Sequence, residues 1–149
     1  DYFCAQANQA GNDLTVALAL YGEVMKANPG VQRTGLRFRD NTYCGCNLFA
    51  MISPQARTIA DFWRRVEQDR KRPWRIMRVL GWLSVLRFLL GRLTLADALE
   101  QLSRRLGIRI GYVLLPFPEA AVDVDTEADW LYVQRLVEGD EPPLHPRAG

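Results

Sequence analysis

The 149-residue chain is 48% hydrophobic and 24% charged, which is typical of one globular domain with an apolar core and excludes an intrinsically disordered protein. Its net charge of +2 is unevenly distributed, because residues 57–109 hold thirteen Lys and Arg against five Asp and Glu, whereas residues 119–149 hold two against eight. This polarity favours an anionic ligand held by the basic part and a cation held by the acidic part, and it argues against a nucleic-acid partner.

The first elements of the chain are predicted to be a helix and a strand. Residues 2–10 have the pattern of a helix that Gly11 terminates, and DLTVALAL at 13–20 is an apolar run of strand length. Residues 21–27 predict a further short helix, which the breaker cluster Asn28-Pro29-Gly30 stops. This order of elements indicates an α/β protein.

A β-hairpin is predicted next. RTGLRF at 33–38 and TYCGCNLFAM at 42–51 are two strand-like runs around a short polar turn. Gly45 lies inside the second strand, where a glycine indicates either a β-bulge or the close approach of a ligand or another backbone. Asn47, two residues on, is expected to point the same way and to offer a donor and an acceptor beside Gly45.

The three cysteines, Cys4, Cys44 and Cys46, form neither a C-x-x-C pair nor an even disulfide set, and the single histidine leaves no Cys/His zinc site. This usage favours a reducing cytoplasm. Cys44 and Cys46 share one strand face and are predicted to be small buried core residues, because no partner base accompanies them as a catalytic cysteine requires.

A basic corner is predicted after the hairpin. Ser53 and Pro54 indicate the start of a helix that runs to about residue 70. A run of cations follows, made of Arg70, Lys71, Arg72 and Arg75. Because its like charges repel one another, this run forms either a corner exposed to solvent or an anion-binding site. The planar guanidinium group of arginine suits phosphate especially well.

The most hydrophobic stretch is IMRVLGWLSVLRFLL at 76–90, which Gly91 closes. It falls short of the ~20 apolar residues that a membrane span needs, and it contains Arg78 and Arg87. We therefore expect a helix that is buried or that packs against a partner, including a second copy of the chain, and no membrane span.

Two further elements precede the acidic region. Residues 94–106 predict a helix with Thr94 as its cap, Asp97 in its first turn as capping-box partner and Gly107 as its stop. Residues 108–115 alternate as a strand does. The strands at 13–20, 33–38, 42–50 and 108–115 are expected in one mixed sheet, with the helices of 54–106 on one side.

A carboxylate pair lies in AAVDVDTEADWLYVQRLV at 120–137. If this segment begins as a strand, Val122 and Val124 face the core while Asp123 and Asp125 share the other face, ~7 Å apart. Two such carboxylates repel each other unless a cation or water separates them, and a strand-to-helix turn is a place where α/β proteins hold a hard metal with a phosphate ligand.

The carboxylate pair also has a purely structural interpretation. Thr126 and Asp129 form a capping box for the following helix, and Asp123 or Asp125 would then only favour the positive end of that helix. Both interpretations stay open on these residues alone.

The whole order of motifs resembles a known enzyme family. YCGCNLFA, WRRVEQDRKRPWR, GRLTLADAL and LPFPEAAVDVDTEADW follow one another as in the latter part of the molybdenum-cofactor-guanylyltransferase-like NTP transferases. The resemblance extends over nearly the whole chain up to its tail. It implies the C-terminal part of a Rossmann-like nucleotide-diphospho-sugar transferase fold, with a mixed sheet, a β-hairpin and several helices.

The resemblance also implies a reaction and the residues that serve it. The expected reaction moves a nucleotidyl group from an NTP to a phosphorylated small-molecule acceptor and releases pyrophosphate, with Mg²⁺ as cofactor. Asp123 and Asp125 correspond to the late acidic element at the metal site and are the expected catalytic residues. Gly45 and Asn47 correspond to the strand beside the acceptor, and the basic corner is the expected holder of a substrate phosphate.

The resemblance further implies how the chain is divided. Residues 1–139 correspond to the C-terminal portion of a nucleotidyltransferase domain whose NTP-binding half is not in this sequence, and residues 140–149 are expected to form a flexible tail. The opening DYFCAQ has no initiator methionine and no signal-peptide pattern, so we expect a segment of a larger protein, inactive by itself.

Two other functions compete with this one. The chain is alternatively an interaction or dimerisation module that docks through residues 76–90. It is alternatively a peripheral membrane binder through residues 70–90. In that case the cations on anionic lipid are Lys71, Arg72 and Arg75, and the inserted aromatic residues are Trp74, Trp82 and Phe88.

Overall fold

The computed structural model describes residues 1–29, 33–57, 59 and 81–138. Within these ranges the helices are α1 (Tyr2–Gln9), α2 (Tyr21–Ala27), α3 (Trp82–Leu89), α4 (Leu95–Leu106) and α5 (Glu127–Glu138). The strands are β1 (Leu14–Leu20), β2 (Leu36–Arg37), β3 (Thr42–Met51) and β4 (Ile110–Leu114), and 3₁₀ turns lie at Pro54–Ala56 and Pro118–Ala121. The α/β class that the sequence predicts is confirmed.

The described strands form one mixed sheet in the order β2-β3-β1-β4. β1 is parallel to β4 and antiparallel to β3, and β2 pairs with β3 as the predicted hairpin. β2 is shorter than the predicted strand 33–38, because only Leu36 and Arg37 pair with β3, while Arg33 reaches β3 through its side chain. The predicted mixed sheet with an antiparallel hairpin is therefore confirmed.

β1 is the central strand, and its two faces carry two parts of the core. Leu14 and Leu18 face α4, where they pack with residues such as Leu95 and Leu99. Ala17 and Ala19 face the opposite side, in a cluster with Cys44 and Val24. This alternation is what a strand buried on both faces requires, and it explains why the sequence of β1 is apolar throughout.

The predicted one-sided packing of the helices of 54–106 holds for the described part of that region. Ala56, Ile59 and α4 pack on the same face of the sheet. α1, α2 and the turn Pro118–Ala121 cover the other face.

The start of α4 shows how local chemistry and tertiary contacts combine. The Thr94 hydroxyl accepts a hydrogen bond from the Asp97 N–H at 3.1 Å, and Gly107, in the left-handed conformation at φ 68°, ends the helix as predicted. The carboxylate of Asp40, from the hairpin turn, accepts from the Leu95 N–H at 3.1 Å and from the Tyr43 hydroxyl at 2.6 Å. The hairpin turn is thereby attached to the first turn of α4.

One irregularity interrupts β3. Val16 pairs with Phe49 and Leu18 with Gly45, so residues 46–48 lie opposite the single residue Ala17. Asn47 has a φ of 51°, a conformation that asparagine tolerates better than most residues. The bulge that the sequence left as an alternative for Gly45 is thus centred on Asn47.

The predicted strand at 120–125 is wrong. Pro118 starts a 3₁₀ turn that buries Ala121 against the sheet, and residues 122–125 form no ladder with the described strands. The two valines consequently do not share a buried face: Val122 is half-buried and Val124 is 51% exposed. The alternation is an accident of a loop that has already turned away from the sheet, because the proline fixes the chain in a turn.

The capping box at the start of α5 is confirmed. The Thr126 N–H donates to the Asp129 carboxylate at 2.8 Å, and the Asp129 N–H donates to the Thr126 hydroxyl at 3.2 Å. α5 is then fastened to the domain by Tyr132, whose buried hydroxyl donates to the side-chain oxygen of Asn28 at 2.9 Å.

Several predictions lie outside the described residues. These are the helix beyond residue 59, the basic corner of Arg70, Lys71, Arg72 and Arg75, the first part of 76–90, and the tail from residue 139. None of the helices in the described ranges is long and apolar enough to cross a membrane.

Candidate functional site

Asp123 stands at the centre of a polar cluster formed by three separate segments of the chain. One of its carboxylate oxygens accepts a hydrogen bond from the Asn47 side-chain amide at 2.9 Å, and the other pairs with the Arg33 guanidinium. Arg33 also donates to the backbone carbonyl of Gly45 at 3.1 Å. We call Arg33, Gly45, Asn47 and Asp123 the Arg33 cluster.

The fold positions each member of the cluster through a local irregularity. Asn47 reaches Asp123 from the bulge in β3, and its left-handed backbone is the kind of conformation that surrounding contacts must hold in place. Asp123 lies in the loop after the turn Pro118–Ala121, of which Ala121 is buried. Arg33 lies just before β2. The bulge in β3 and the segment before β2 therefore both bring a side chain to the carboxylate that the loop carries.

The charged pair of the Arg33 cluster is partly shielded from water, whereas Gly45 and Asn47 are exposed. The side chains of Arg33 and Asp123 are 15% and 26% exposed. The Nε–H of Arg33 is buried and has no hydrogen-bond partner among the described residues. Since an unsatisfied buried donor on a charged group is unfavourable, Arg33 retains an unused capacity to bind an oxygen acceptor.

Two cysteines of β3 lie next to the cluster, and their burial confirms the sequence prediction. Cys44 and Cys46 are both buried. Burial raises the pKa of Cys46 to about 11, the neighbouring Cys44 adds to this, the Arg33 charge opposes it and the Asp123 charge reinforces it. Because the thiolate is the reactive form, these cysteines are core residues rather than nucleophiles at neutral pH.

Asp125 lies apart from the cluster. Its side chain is exposed, and it has no hydrogen-bond or ion-pair partner among the residues that the structure describes. Asp129 serves the capping box of α5. The two predicted catalytic carboxylates therefore differ: Asp123 is engaged through both oxygens, and Asp125 is available to a ligand.

The donor set is suited to Mg²⁺ but incomplete as a site. Mg²⁺ binds hard oxygens, takes only one or two protein carboxylates and keeps several waters. Asp125 meets this requirement directly, and Asp123 meets it only when Arg33 gives up one oxygen. Within the described ranges, no group of three or more His, Cys, Asp or Glu side chains is arranged to hold a metal.

The structure brings together three of the residues that the sequence singled out, namely Gly45, Asn47 and Asp123. Gly45 contributes its carbonyl, and a Cβ added to it would meet no atom of the described residues within 4 Å, so the side of Gly45 on which a Cβ would stand is open among these residues. The basic corner cannot be placed, because it lies outside the described residues.

Arg33 is the member of the cluster that the sequence reasoning missed. It stands in a segment interpreted as strand, ninety positions from Asp123. The signal that could have indicated Arg33 is the carboxylate pair, because two nearby carboxylates favour a cation between them. Arg33 is a nearby candidate, since it lies in the same hairpin region as Gly45.

Comparison with known proteins adds one relationship. No family model matches the chain, and no curated protein matches it. A solved structure of a hypothetical transferase from Thermus thermophilus has a TM-score of 0.72 to the chain, with 35% sequence identity over 83% of this chain and 54% of that structure's chain. The chain therefore spans about half the length of that structure and shares its α/β fold.

Proposed function

We propose that the chain forms part of a nucleotidyltransferase, in which it supplies the acceptor side and the late residues of the metal site. The observation that carries the proposal is the convergence of Asp123, Asn47 and Gly45 on one cluster, together with the exposed carboxylate of Asp125 two residues further along the chain. The likeness to a hypothetical transferase supports group transfer as the general chemistry. The NTP, the phosphorylated acceptor and Mg²⁺ are parts of the proposal.

The proposed step is an in-line displacement at phosphorus. An oxygen of the acceptor phosphate forms a bond to the α-phosphorus of the NTP, the bond from that phosphorus to the bridging oxygen breaks, and pyrophosphate leaves. Catalysis of this kind is mainly positioning and electrostatic stabilisation. Mg²⁺, when bound, would neutralise the charge of the phosphates.

The residues of this chain have distinct tasks in that step. Asp125 presents a carboxylate oxygen to the metal, because it is exposed and has no partner among the described residues. Asp123 is the second carboxylate, which Asn47 orients by its hydrogen bond. The basic corner at 70–75, which lies outside the described residues, supplies the cations for the acceptor phosphate.

The test is pyrophosphate release from each of the four common NTPs, measured with phosphorylated acceptors and Mg²⁺ on the longest natural form of the protein that contains this chain. The expected result is release that depends on both the acceptor and Mg²⁺. Absence of release with every NTP and a broad set of acceptors would contradict nucleotidyl transfer.

A second candidate function rests on the surface of α3. Its apolar side chains remain open to solvent: Trp82 is 65% exposed, Leu83 60% and Leu89 74%. Exposed apolar residues on one short helix favour a role in association with a second copy or a partner. Light scattering over a range of concentrations tests it, because a mass that stays monomeric at high concentration would exclude self-association.

A further inference from the structure

We propose that Arg33 is a phosphate-binding residue of this site and that Asp123 occupies it until phosphate and metal arrive together. In the free chain Asp123 would substitute for the phosphate on Arg33, and Arg33 would substitute for the metal on Asp123. The proposal deepens the proposed function, on which it rests for the identity of the metal, and it concerns the order in which the site is filled.

The hydrogen bonds of Arg33 are the first argument. The guanidinium has five N–H donors on three nitrogens. One terminal nitrogen pairs with Asp123, and the other donates to the Gly45 carbonyl. The buried Nε–H has no partner within the part of the chain that the structure describes. A phosphate group presents several strong acceptors and matches the arginine fork in two positions at once, so it would satisfy Arg33 better than one carboxylate oxygen and one carbonyl do.

The occupation of Asp123 is the second argument. Both of its oxygens accept hydrogen bonds from protein groups, and one of them lies against a full positive charge. A cation that approaches Asp123 is therefore repelled by Arg33, and an anion that approaches Arg33 is repelled by Asp123. Each residue blocks the ligand of the other as long as the pair stays closed.

The exchange follows from these two blocks. When phosphate takes Arg33, the carboxylate of Asp123 loses its cation and becomes a strong oxygen ligand; when a metal takes Asp123, the guanidinium is released. The two ligands are bound more tightly together than either is alone, and the coupling must be equal in both directions. Phosphate and metal also attract each other, which adds to the same effect.

The test uses binding rather than turnover, and its probes are Mn²⁺ in place of Mg²⁺ and inorganic phosphate. Arg33→Gln removes the cation from Asp123, so we expect Mn²⁺ alone to bind about fivefold tighter or more than to the wild-type chain. Asp123→Asn frees Arg33, so we expect inorganic phosphate alone to bind more tightly by a similar factor. In the wild-type chain, phosphate should raise the affinity for Mn²⁺.

Arg37→Gln is the matched control, because Arg37 is an exposed arginine on β2, in the same hairpin, and it should change neither affinity. Circular dichroism and the melting temperature verify that each variant is folded. If Arg33→Gln does not fold, the affinity of Asp123→Asn for inorganic phosphate tests the proposal by itself.

Two results would overturn the proposal. Binding of Mn²⁺ to Arg33→Gln that is equal to or weaker than wild type would mean that Arg33 only holds Asp123 in place. Unchanged or weaker phosphate binding to Asp123→Asn would mean that Arg33 takes no anion.

The experiment separates this proposal from nucleotidyl transfer. Opposite gains of Mn²⁺ and phosphate affinity in the two variants, without pyrophosphate release from any NTP, would retain the exchange and remove the proposed reaction. Pyrophosphate release by the wild-type protein, without those gains, would retain the reaction and overturn the exchange.

Discussion

The starts of α4 and α5 carry the same Thr-x-x-Asp motif but differ in their surroundings. At α4 the first turn is closed from outside, because the Asp40 carboxylate accepts from the Leu95 N–H and the flanking Leu93 and Leu95 are buried. At α5 the capping box is complete, yet the preceding Asp125 is exposed and has no partner among the described residues. The motif thus determines where a helix begins, while the surrounding fold determines whether a carboxylate there is structural or available.

The largest expected effect separates Asp125 from Asp40. Asp125→Asn keeps the shape and removes the charge, so on the longest natural form we expect kcat/KM for NTP turnover to fall by about 10²–10³-fold, with the melting temperature unchanged. Asp40→Asn is the matched control and should leave turnover near wild type. Normal turnover of Asp125→Asn at both saturating and limiting Mg²⁺ would mean that Asp125, like Asp40, has only a structural role.

The next effect concerns the two caps. Thr94→Ala removes the hydrogen bond to the Asp97 N–H at the start of a helix that packs on the sheet, and we expect a loss of about 1 kcal/mol in the free energy of unfolding. Thr126→Ala should cost less globally and show instead as faster amide exchange in the first turn of α5, which is more exposed. Urea denaturation and hydrogen exchange measure the two, and equal global losses would contradict the contrast.

A smaller effect tests Asp40 through pH. Partial burial by itself raises the pKa of Asp40, but the hydrogen bonds from Tyr43 and from the Leu95 N–H outweigh it, and the pKa is lowered overall. A lowered folded-state pKa gives stability that is present above the unfolded pKa of about 3.9 and is lost as the pH falls through the folded value. Asp40 is exposed to solvent, which screens the contribution.

We therefore expect Asp40→Asn to destabilise the chain by about 0.5–1 kcal/mol at pH 7 and by less at pH 3. Urea denaturation at the two pH values checks this. A difference that is the same at both would show that the charge of Asp40 is not what attaches the hairpin turn to α4.

The smallest effect is expected at Gly45, which belongs to the Arg33 cluster. A Cβ at Gly45 would meet no atom of the described residues within 4 Å, so Gly45→Ala should change the free energy of unfolding by no more than about 0.5 kcal/mol. Gly35→Ala is the contrasting control, because its Cβ would lie 2.7 Å from the Tyr21 ring. A large stability loss at Gly45 would mean that the glycine serves the strand rather than a ligand.

The sequence predicted those features that depend on neighbours along the chain. The starts at Thr94 and Thr126 and the stop at Gly107 follow from hydrogen bonds within one helical turn, and all three are confirmed. The apolar run at 13–20 predicts a strand from its length and composition, and β1 confirms it. These signals are local, so a single sequence contains them in full.

The features that failed or were missed depend on distant contacts. The alternation at 122–125 was taken for a strand, but the turn at Pro118 had already removed that segment from the sheet. Arg33 reaches Asp123 across ninety positions, and no local pattern records such a pairing. The shift of the bulge from Gly45 to Asn47 likewise depends on how β3 registers with β1.

The central position of β1 has a consequence during synthesis on the ribosome. β3 follows β1 closely and can pair with it early, but β4 joins its other edge only after the chain has grown to Ile110, since the Arg109 N–H and the Asp13 carboxylate that it binds are 96 positions apart. At translation rates of 5–20 residues per second, β1 waits roughly 5–19 s with one edge unpaired. A chain that stalls or terminates before Ile110 would therefore present an open edge strand to chaperones and to other nascent chains.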